Sequence, residues 1–261
     1  MPSRLELSRR AAHRVRDALA RHPETADRGR RLERGEGGDV TMVLDRVAED
    51  AVLAELEASG EPLTAISEER GELDLNGGGP PFVVIDPVDG SLNAKRRLPF
   101  HAVSIAFASG RTMSQVDFGY VFDLFCGEEW WAERGGGAFV DGRRLPELEP
   151  RESFEIVGIE TAWPELIGQH AAGIAGLPSN RVRALGSVAL SMCFVADARL
   201  DGMVSLRAIR SVDAAAAQLI VLEAGGVVVF PDVEGDPGLG LDMRSRVAAA
   251  GPAGVEGLLA I

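Results

Sequence analysis

Four apolar residues, Phe82-Val83-Val84-Ile85, run directly into Asp86-Pro87-Val88-Asp89-Gly90-Ser91. A run that short, rich in β-branched residues and closed by Asp-Pro and Asp-Gly, reads as a strand stopped by a turn. The pattern recurs. Leu63-Thr64-Ala65-Ile66 leads to Ser67-Glu68-Glu69, and Ala102 to Ala108 and Val116 to Phe125 read as further strands. Between and around these runs the apolar period changes from two to that of a helix. Leu5, Ala11, Ala12, Val15 and Leu19 fall at near-helical spacing in the segment from Leu5 to about Arg34. Val43, Leu44, Val47, Ala48, Ala51, Val52 and Leu56 mark an amphipathic helix ending near Gly60, with Asp45 in its first turn. The glycine-rich stretch Gly35-Glu36-Gly37-Gly38-Asp39 before it reads as a connecting loop.

Beyond Pro146-Glu147-Leu148-Glu149-Pro150-Arg151-Glu152, a polar, proline-bearing stretch that reads as a boundary between halves, strand and helix signals alternate. Phe154 to Ile159 reads as a strand, Pro164 to Ala175 as a helix, Val182 to Leu185 as extended and Ser187 to Ala198 as a helix. Gly202 to Leu206 is a strand, Val212 to Ala224 a helix and Val227 to Phe230 a strand. The expectation is a mixed α/β chain, with an N-terminal half at 1–150 and a C-terminal half at 151–261 joined in one catalytic unit.

Charge and cysteine content exclude several classes. A formal net charge of −13 offers no basic surplus for neutralising nucleic-acid phosphates. The arginines of the first helical segment interleave with Glu6, Asp17 and Glu24, as on a solvated helix face. Cys126 and Cys193 stand in unrelated settings without metal-ligand spacing, so a reducing compartment is expected. Met1 to Arg10 is charged rather than apolar, and no apolar run approaches the ~20 residues needed to span a bilayer. The expectation is a cytosolic protein with no membrane partner.

The chemistry lies in the carboxylates. Asp86 and Asp89, projecting from one turn, could share a cation; as an ordinary strand-ending turn they would do nothing. Gly90 would let backbone approach a ligand closely, and Ser91 would open a short helix whose first N–H groups suit a phosphate oxygen. Glu68 also ends an apolar strand. Asp213 opens a nearly all-apolar helix, where an Asp commonly serves only the helix dipole, and Asp45 invites the same reading.

The order of these pieces resembles the inositol monophosphatase family. The resemblance rests on the Glu68 strand end, the Asp86 to Ser91 turn, Gly186-Ser187 opening a helix, and Asp213 followed by Glu223-Ala224-Gly225-Gly226. Trp131-Ala132-Glu133-Arg134-Gly135-Gly136-Gly137-Ala138-Phe139, then Asp141-Gly142, resembles that family's hairpin. The resemblance implies a sugar-phosphatase fold of alternating helix and sheet layers, a homodimer, and a small phosphorylated metabolite as substrate. It also implies Mg²⁺ held by Glu68, Asp86, the Val88 carbonyl, Asp89 and Asp213. Asp45 and Ser91 match the pair that orients and deprotonates the attacking water, with Glu68 counted beside them. Gly90, Ser91, Gly186 and Ser187 fall on the substrate side. Oxygen-only ligation suits Mg²⁺ rather than zinc.

There are departures from the family's pattern. Val212 replaces a Trp, Leu92 a second Thr, and Ser67 a Gly. The family's inositol-contacting Glu is missing from Ser205-Leu206-Arg207-Ala208-Ile209-Arg210, which is similar to members that also cleave fructose 1,6-bisphosphate. Arg207 and Arg210 are accordingly expected to bind a second phosphate, and fructose bisphosphate and histidinol phosphate stand as alternative substrates. A catalytically dead ligand-binding relative is the rival from another class.

Overall fold

The computed structural model describes residues 3–34, 40–151, 153–177, 179–259 and 261. The glycine-rich stretch 35–39 and Glu152 therefore lie outside the described residues.

An eight-stranded sheet and a five-stranded sheet alternate with helices. On the outer face of the larger sheet lie helices Arg4–Ala20 and Val43–Ala58. The first begins with Ser3, whose hydroxyl accepts the Glu6 N–H while Glu6 caps the Ser3 N–H in return. It buries Leu7, Ala11, Ala12, Val15 and Leu19 on one stripe, against Leu44, Ala48 and Val52 of the second helix and Ile85, Val103 and Ile105 of the sheet. The helix ends at Ala20, well short of Arg34, because Pro23 disfavours helical backbone at His22. A short helix Thr25–Arg28 and a strand Arg31–Arg34 follow.

Helices Val188–Ala196 and Ser211–Glu223 form the middle layer. Both are apolar on nearly every side, as helices covered on two faces must be. Their side chains meet Ala106, Val121 and Trp130 of the larger sheet and Met203 and Ala249 of the smaller one. Gly119 permits the closest approach, since a Cβ there would stand 2.5 Å from the Ala216 carbonyl oxygen. The far face of the smaller sheet is covered by Leu166, Ile174, Leu177, Val255 and Leu258. The expected alternation of helix and sheet layers is therefore present.

Several boundaries differ from expectation. The Pro164 to Ala175 segment is two short helices, Pro164–Gln169 and Ala171–Ala175, in a stretch interrupted by Gly168 and Gly173. The extended segment expected at Val182 to Leu185 is the strand Ser179–Arg183, pairing parallel with Phe154–Glu160. Val116–Asp123 stops before Phe125 because the Asp123 carboxylate accepts the N–H groups of Phe125 and Cys126, turning the chain. Strands Gly71–Leu75 and Ala248–Ala250 carry no strong strand signal in sequence. Both cysteines are free, Cys126 exposed and Cys193 buried. No helix among the described residues is long and apolar enough to cross a membrane.

Candidate functional site

The strand Phe82–Asp89 does not stop at Asp86, as the sequence suggests, but continues to Asp89 through an irregularity. Asp86 faces Ser104 and Asp89 faces Ala102, so three steps on one strand match two on the other. Pro87 supplies no N–H to the ladder. The Val88 N–H instead donates to Asp86 Oδ1 at 3.0 Å. This bulge sets both carboxylates into the interior, with Asp86 only 2 % and Asp89 7 % exposed. Gly90 follows at φ +83°, and a Cβ there would lie 2.7 Å from the Phe100 carbonyl oxygen, so the turn into helix Ser91–Arg96 requires glycine. Ser91 Oγ donates to the Val88 carbonyl at 2.9 Å and lies near enough to the Asp45 carboxyl to favour its charged form.

Asp45 and Asp213 each do two things. Asp45 Oδ2 accepts the Met42 N–H at 3.0 Å, and Asp213 Oδ2 accepts the Arg210 N–H at 2.8 Å, so both satisfy helix starts. Their charges nonetheless act on the same partly buried group, Glu68, whose carboxyl is pushed up to about 8 by desolvation, against the pull of Arg210 and with Asp213, Glu69 and Asp45 adding to the rise. Burial raises Asp89 to about 7, with Asp213 adding to it, and raises Asp45 to about 7, with Glu69 adding to it. Asp86 is raised well above the carboxylate range by burial and then by Glu68, Asp89 and Asp213.

Glu68, Asp86, Asp89 and Asp213 are thus electrostatic neighbours. Their donors are all oxygen, the set a hard divalent cation takes. Among the described residues no three acidic, His or Cys side chains close around a single point. The Arg210 guanidinium pairs with Glu68 and stands 3.8 Å from Asp213, placing positive charge within the acidic group. The carboxylates fit a cation in donor chemistry and in mutual repulsion.

The residues expected on the substrate side divide. Ser187 Oγ donates to Asp89 Oδ2 and accepts the Leu190 N–H, and the Ala189 N–H also donates to Asp89 at 2.7 Å. Gly186, at φ +84°, gives its N–H to Glu160. Gly186 and Ser187 therefore anchor carboxylates. Arg207 and Arg210 do not form one anion-binding pair. Arg210 turns inward to Glu68, whereas the exposed Arg207 guanidinium lies 4.6 Å from the centroid of the Trp163 ring. Asp89 and Asp213 open onto a cavity of about 400 Å³ bounded by Leu92, Trp163, Leu185 and Ile209. A separate cavity of about 280 Å³, beside Arg151, Phe154 and Asp197, contains none of these carboxylates.

Two glutamates that sequence reasoning passed over hold the site together. Glu49, fully buried one turn after Asp45, accepts hydrogen bonds at Oε1 from Ser67 Oγ at 2.5 Å, Glu69 N–H at 3.3 Å and Arg70 N–H at 3.1 Å. Its Oε2 lies 3.1 Å from Arg70 Nε, an ion pair without the alignment of a hydrogen bond. The turn carrying Glu68 is fixed by this carboxylate, and Ser67, where a Gly is usual in the pattern the chain resembles, donates the shortest of the three bonds. Glu160 likewise accepts the Leu185 and Gly186 N–H groups and the Ser191 hydroxyl. The available signal was a Glu four residues after Asp45, in register with it on the helix. A Glu49→Ala chain should lose about 3 kcal/mol by stranding buried donors, and turnover should fall by on the order of 10-fold as Glu68 loosens. Thermal melts and steady-state rates decide this, and an unchanged pair would mean that the turn is held by other contacts.

This layering is that of a sugar-phosphatase fold. More narrowly, the chain belongs to the inositol monophosphatase family, whose profile matches residues 3–260. It is 35 % identical over 253 residues to the fructose-1,6-bisphosphatase/inositol-1-monophosphatase of Methanothermobacter thermautotrophicus, covering 93 % of this chain and 90 % of that one. It is 33 % identical over 262 residues to the Nus factor SuhB of Escherichia coli K12, covering 98 % and 94 %. Among solved structures, the Thermotoga maritima IMPase superposes with a TM-score of 0.77 at 27 % identity, covering 98 % of this chain and 96 % of the other.

Proposed function

We propose that this chain is a Mg²⁺-dependent phosphomonoesterase that hydrolyses the phosphate ester of a small metabolite, sugar and polyol phosphates among them. The observation that carries this reading is the electrostatically coupled group of the buried Asp86 and Asp89 with the partly buried Glu68 and Asp213, oxygen donors only, near Asp45 and Ser91, with Asp89 and Asp213 opening onto one cavity. The family and the printed name of the archaeal relative support the same activity, and that name makes fructose 1,6-bisphosphate the second substrate to try.

Glu68, Asp86, Asp89, Asp213 and the Val88 carbonyl would hold the ion. Bound there, Mg²⁺ supplies charge neutralisation of phosphoryl oxygens and lowers the pKa of water. The rest of the work belongs to the chain. Asp45, raised to about 7 by burial, stands ready to take a proton near neutral pH. The Ser91 hydroxyl, near Asp45, orients the water whose proton is taken. The bulge at Pro87 and the Glu49 and Glu160 carboxylates hold these groups in place before substrate arrives. Residues 1–150 and 151–261 then act as one catalytic unit, with Asp213 contributed by the second part. A cytosolic homodimer belongs to the same reading and rests on the family resemblance.

The test is release of inorganic phosphate from a panel including myo-inositol 1-phosphate and fructose 1,6-bisphosphate, with Mg²⁺ and with EDTA. Turnover that appears with Mg²⁺ and disappears with chelator is the expected result. Equal release in both conditions would overturn the metal assignment, and no release from any ester would favour a ligand-binding relative without catalysis.

A further inference from the structure

The outer part of the cavity is built differently from its acidic floor. Beyond Asp89 and Asp213 the walls include Leu92, Leu185, Val188, Ile209 and Trp163, with Asn93, Glu160 and Thr161 between them. Trp163 is 55 % exposed, an unusual place for an indole, which ordinarily hides its apolar ring unless it meets a ligand. Its position is enforced by the preceding turn. Thr161, a β-branched residue, takes φ +52°, a conformation such residues rarely adopt. Three hydrogen bonds fix it: Thr161 Oγ1 donates to the Glu160 carbonyl at 2.7 Å and accepts the Arg207 N–H at 2.9 Å, and the Trp163 N–H returns to the Thr161 carbonyl at 2.9 Å. The same bond to Arg207 brings its guanidinium over the indole, 4.6 Å from the ring centroid.

The polar side chains near this rim are largely committed. Glu160 is taken up by Leu185, Gly186 and Ser191, and Asn93 Nδ2 donates to the Phe100 carbonyl at 2.9 Å and the Leu185 carbonyl at 2.7 Å. A polyol entering here would find few uncommitted side-chain partners, and hydroxyls pressed against Leu185 or Ile209 would give up water without replacing it. A flat unsaturated ring would instead find a planar indole to stack on, held from one side by the Arg207 guanidinium.

We propose that Trp163, backed by Arg207, forms the leaving-group subsite of this cavity and that it selects phosphomonoesters whose alcohol carries an aromatic or heteroaromatic ring. The inference rests on the phosphomonoesterase reading above and adds the class of ester to it.

A matched pair of substrates isolates the ring. Adenosine 5′-monophosphate and ribose 5-phosphate share the same primary phosphate ester on the same sugar, and only the former carries a base. With Mg²⁺ present, kcat/KM should favour the nucleotide by on the order of 10-fold, as one stacked base contributes. The ratio should fall toward one in Trp163→Ala, through KM rather than kcat, and be largely kept in Trp163→Phe. Arg207→Ala should reduce it in part. The nucleotide should also quench indole fluorescence in the unaltered protein and not in Trp163→Ala. Release from both esters with equal efficiency, or a ratio untouched by Trp163→Ala, overturns the subsite and leaves the phosphatase reading intact. Release from neither, while myo-inositol 1-phosphate or fructose 1,6-bisphosphate is cleaved, also overturns the subsite alone, and release from none of the four overturns the phosphatase reading with it.

Discussion

Replacing Asp86 or Asp89 with Asn is expected to cut Mg²⁺-dependent phosphate release by more than about 10³-fold, roughly 4 kcal/mol of transition-state stabilisation, while the protein stays folded. Both side chains sit on the bulged end of one strand and are almost fully buried. An amide keeps their volume and hydrogen-bonding oxygen but gives up the negative charge a hard cation needs. At position 89 the retained oxygen can still accept the Ser187 hydroxyl and the Ala189 N–H, so the start of helix Val188–Ala196 need not move. Burial and like charges raise both carboxyls in the ion-free chain, so neutral replacements remove a repulsion as well as a ligand. Thermal melts without Mg²⁺ should therefore match or exceed those of the unaltered protein, and the added stability Mg²⁺ confers should shrink. Full turnover in either variant at saturating Mg²⁺ would remove these aspartates from the metal assignment.

The parts of this molecule legible in sequence are those where one local pattern decides the outcome. Phe82–Asp89 and Ala102–Ala108 announce themselves as apolar runs between turn residues, and Val43–Ala58 as a clean helical stripe. Ala248–Ala250 does not, because three alanines carry no β preference. Its extended form comes from pairing with Gly202–Ser205 and Val227–Val229, partners distant in sequence. The Asp86–Asp89 pair was recognisable, but its geometry was not. A proline between two acids signals a turn, whereas here the neighbouring strand continues past it and converts the interruption into a bulge.

The candidate site divides along the same line. Carboxylates that end strands or begin helices are visible as such, and Asp45 and Asp213 show that capping and membership of an acidic cluster are compatible. Groups that act by holding others are hidden, since Glu49 and Glu160 look like ordinary charged residues until their acceptors are seen filled by a turn and a loop from elsewhere. Arg207 and Arg210 illustrate the limit of reasoning from charge alone. Three residues apart, they invite one role, yet one pairs with Glu68 inside the cluster and the other lies on an indole at the rim.

Ser91→Ala and Asp45→Asn should each lower kcat by on the order of 10²-fold with a smaller change in KM, the signature of losing a group that acts in the chemical step rather than in binding. The two side chains lie near each other, one where helix Val43–Ala58 begins and the other where the Gly90 turn opens helix Ser91–Arg96. Burial has lifted the Asp45 carboxyl to about 7, so near neutral pH it is poised between accepting and holding a proton, the condition a general base requires. Asn at position 45 can still accept the Met42 N–H, so the helix start survives and the loss is confined to proton transfer. Ala at position 91 removes the hydroxyl that donates to the Val88 carbonyl and lies near Asp45, leaving the base without its polar neighbour. Because both act on one proton, the double variant should be little worse than the more damaged single one, and the departure from additivity measures their coupling. Steady-state rates for the four proteins, with melting curves to confirm folding, decide the matter: unchanged kcat in both single variants, or losses that simply multiply in the double, would assign water activation to other residues.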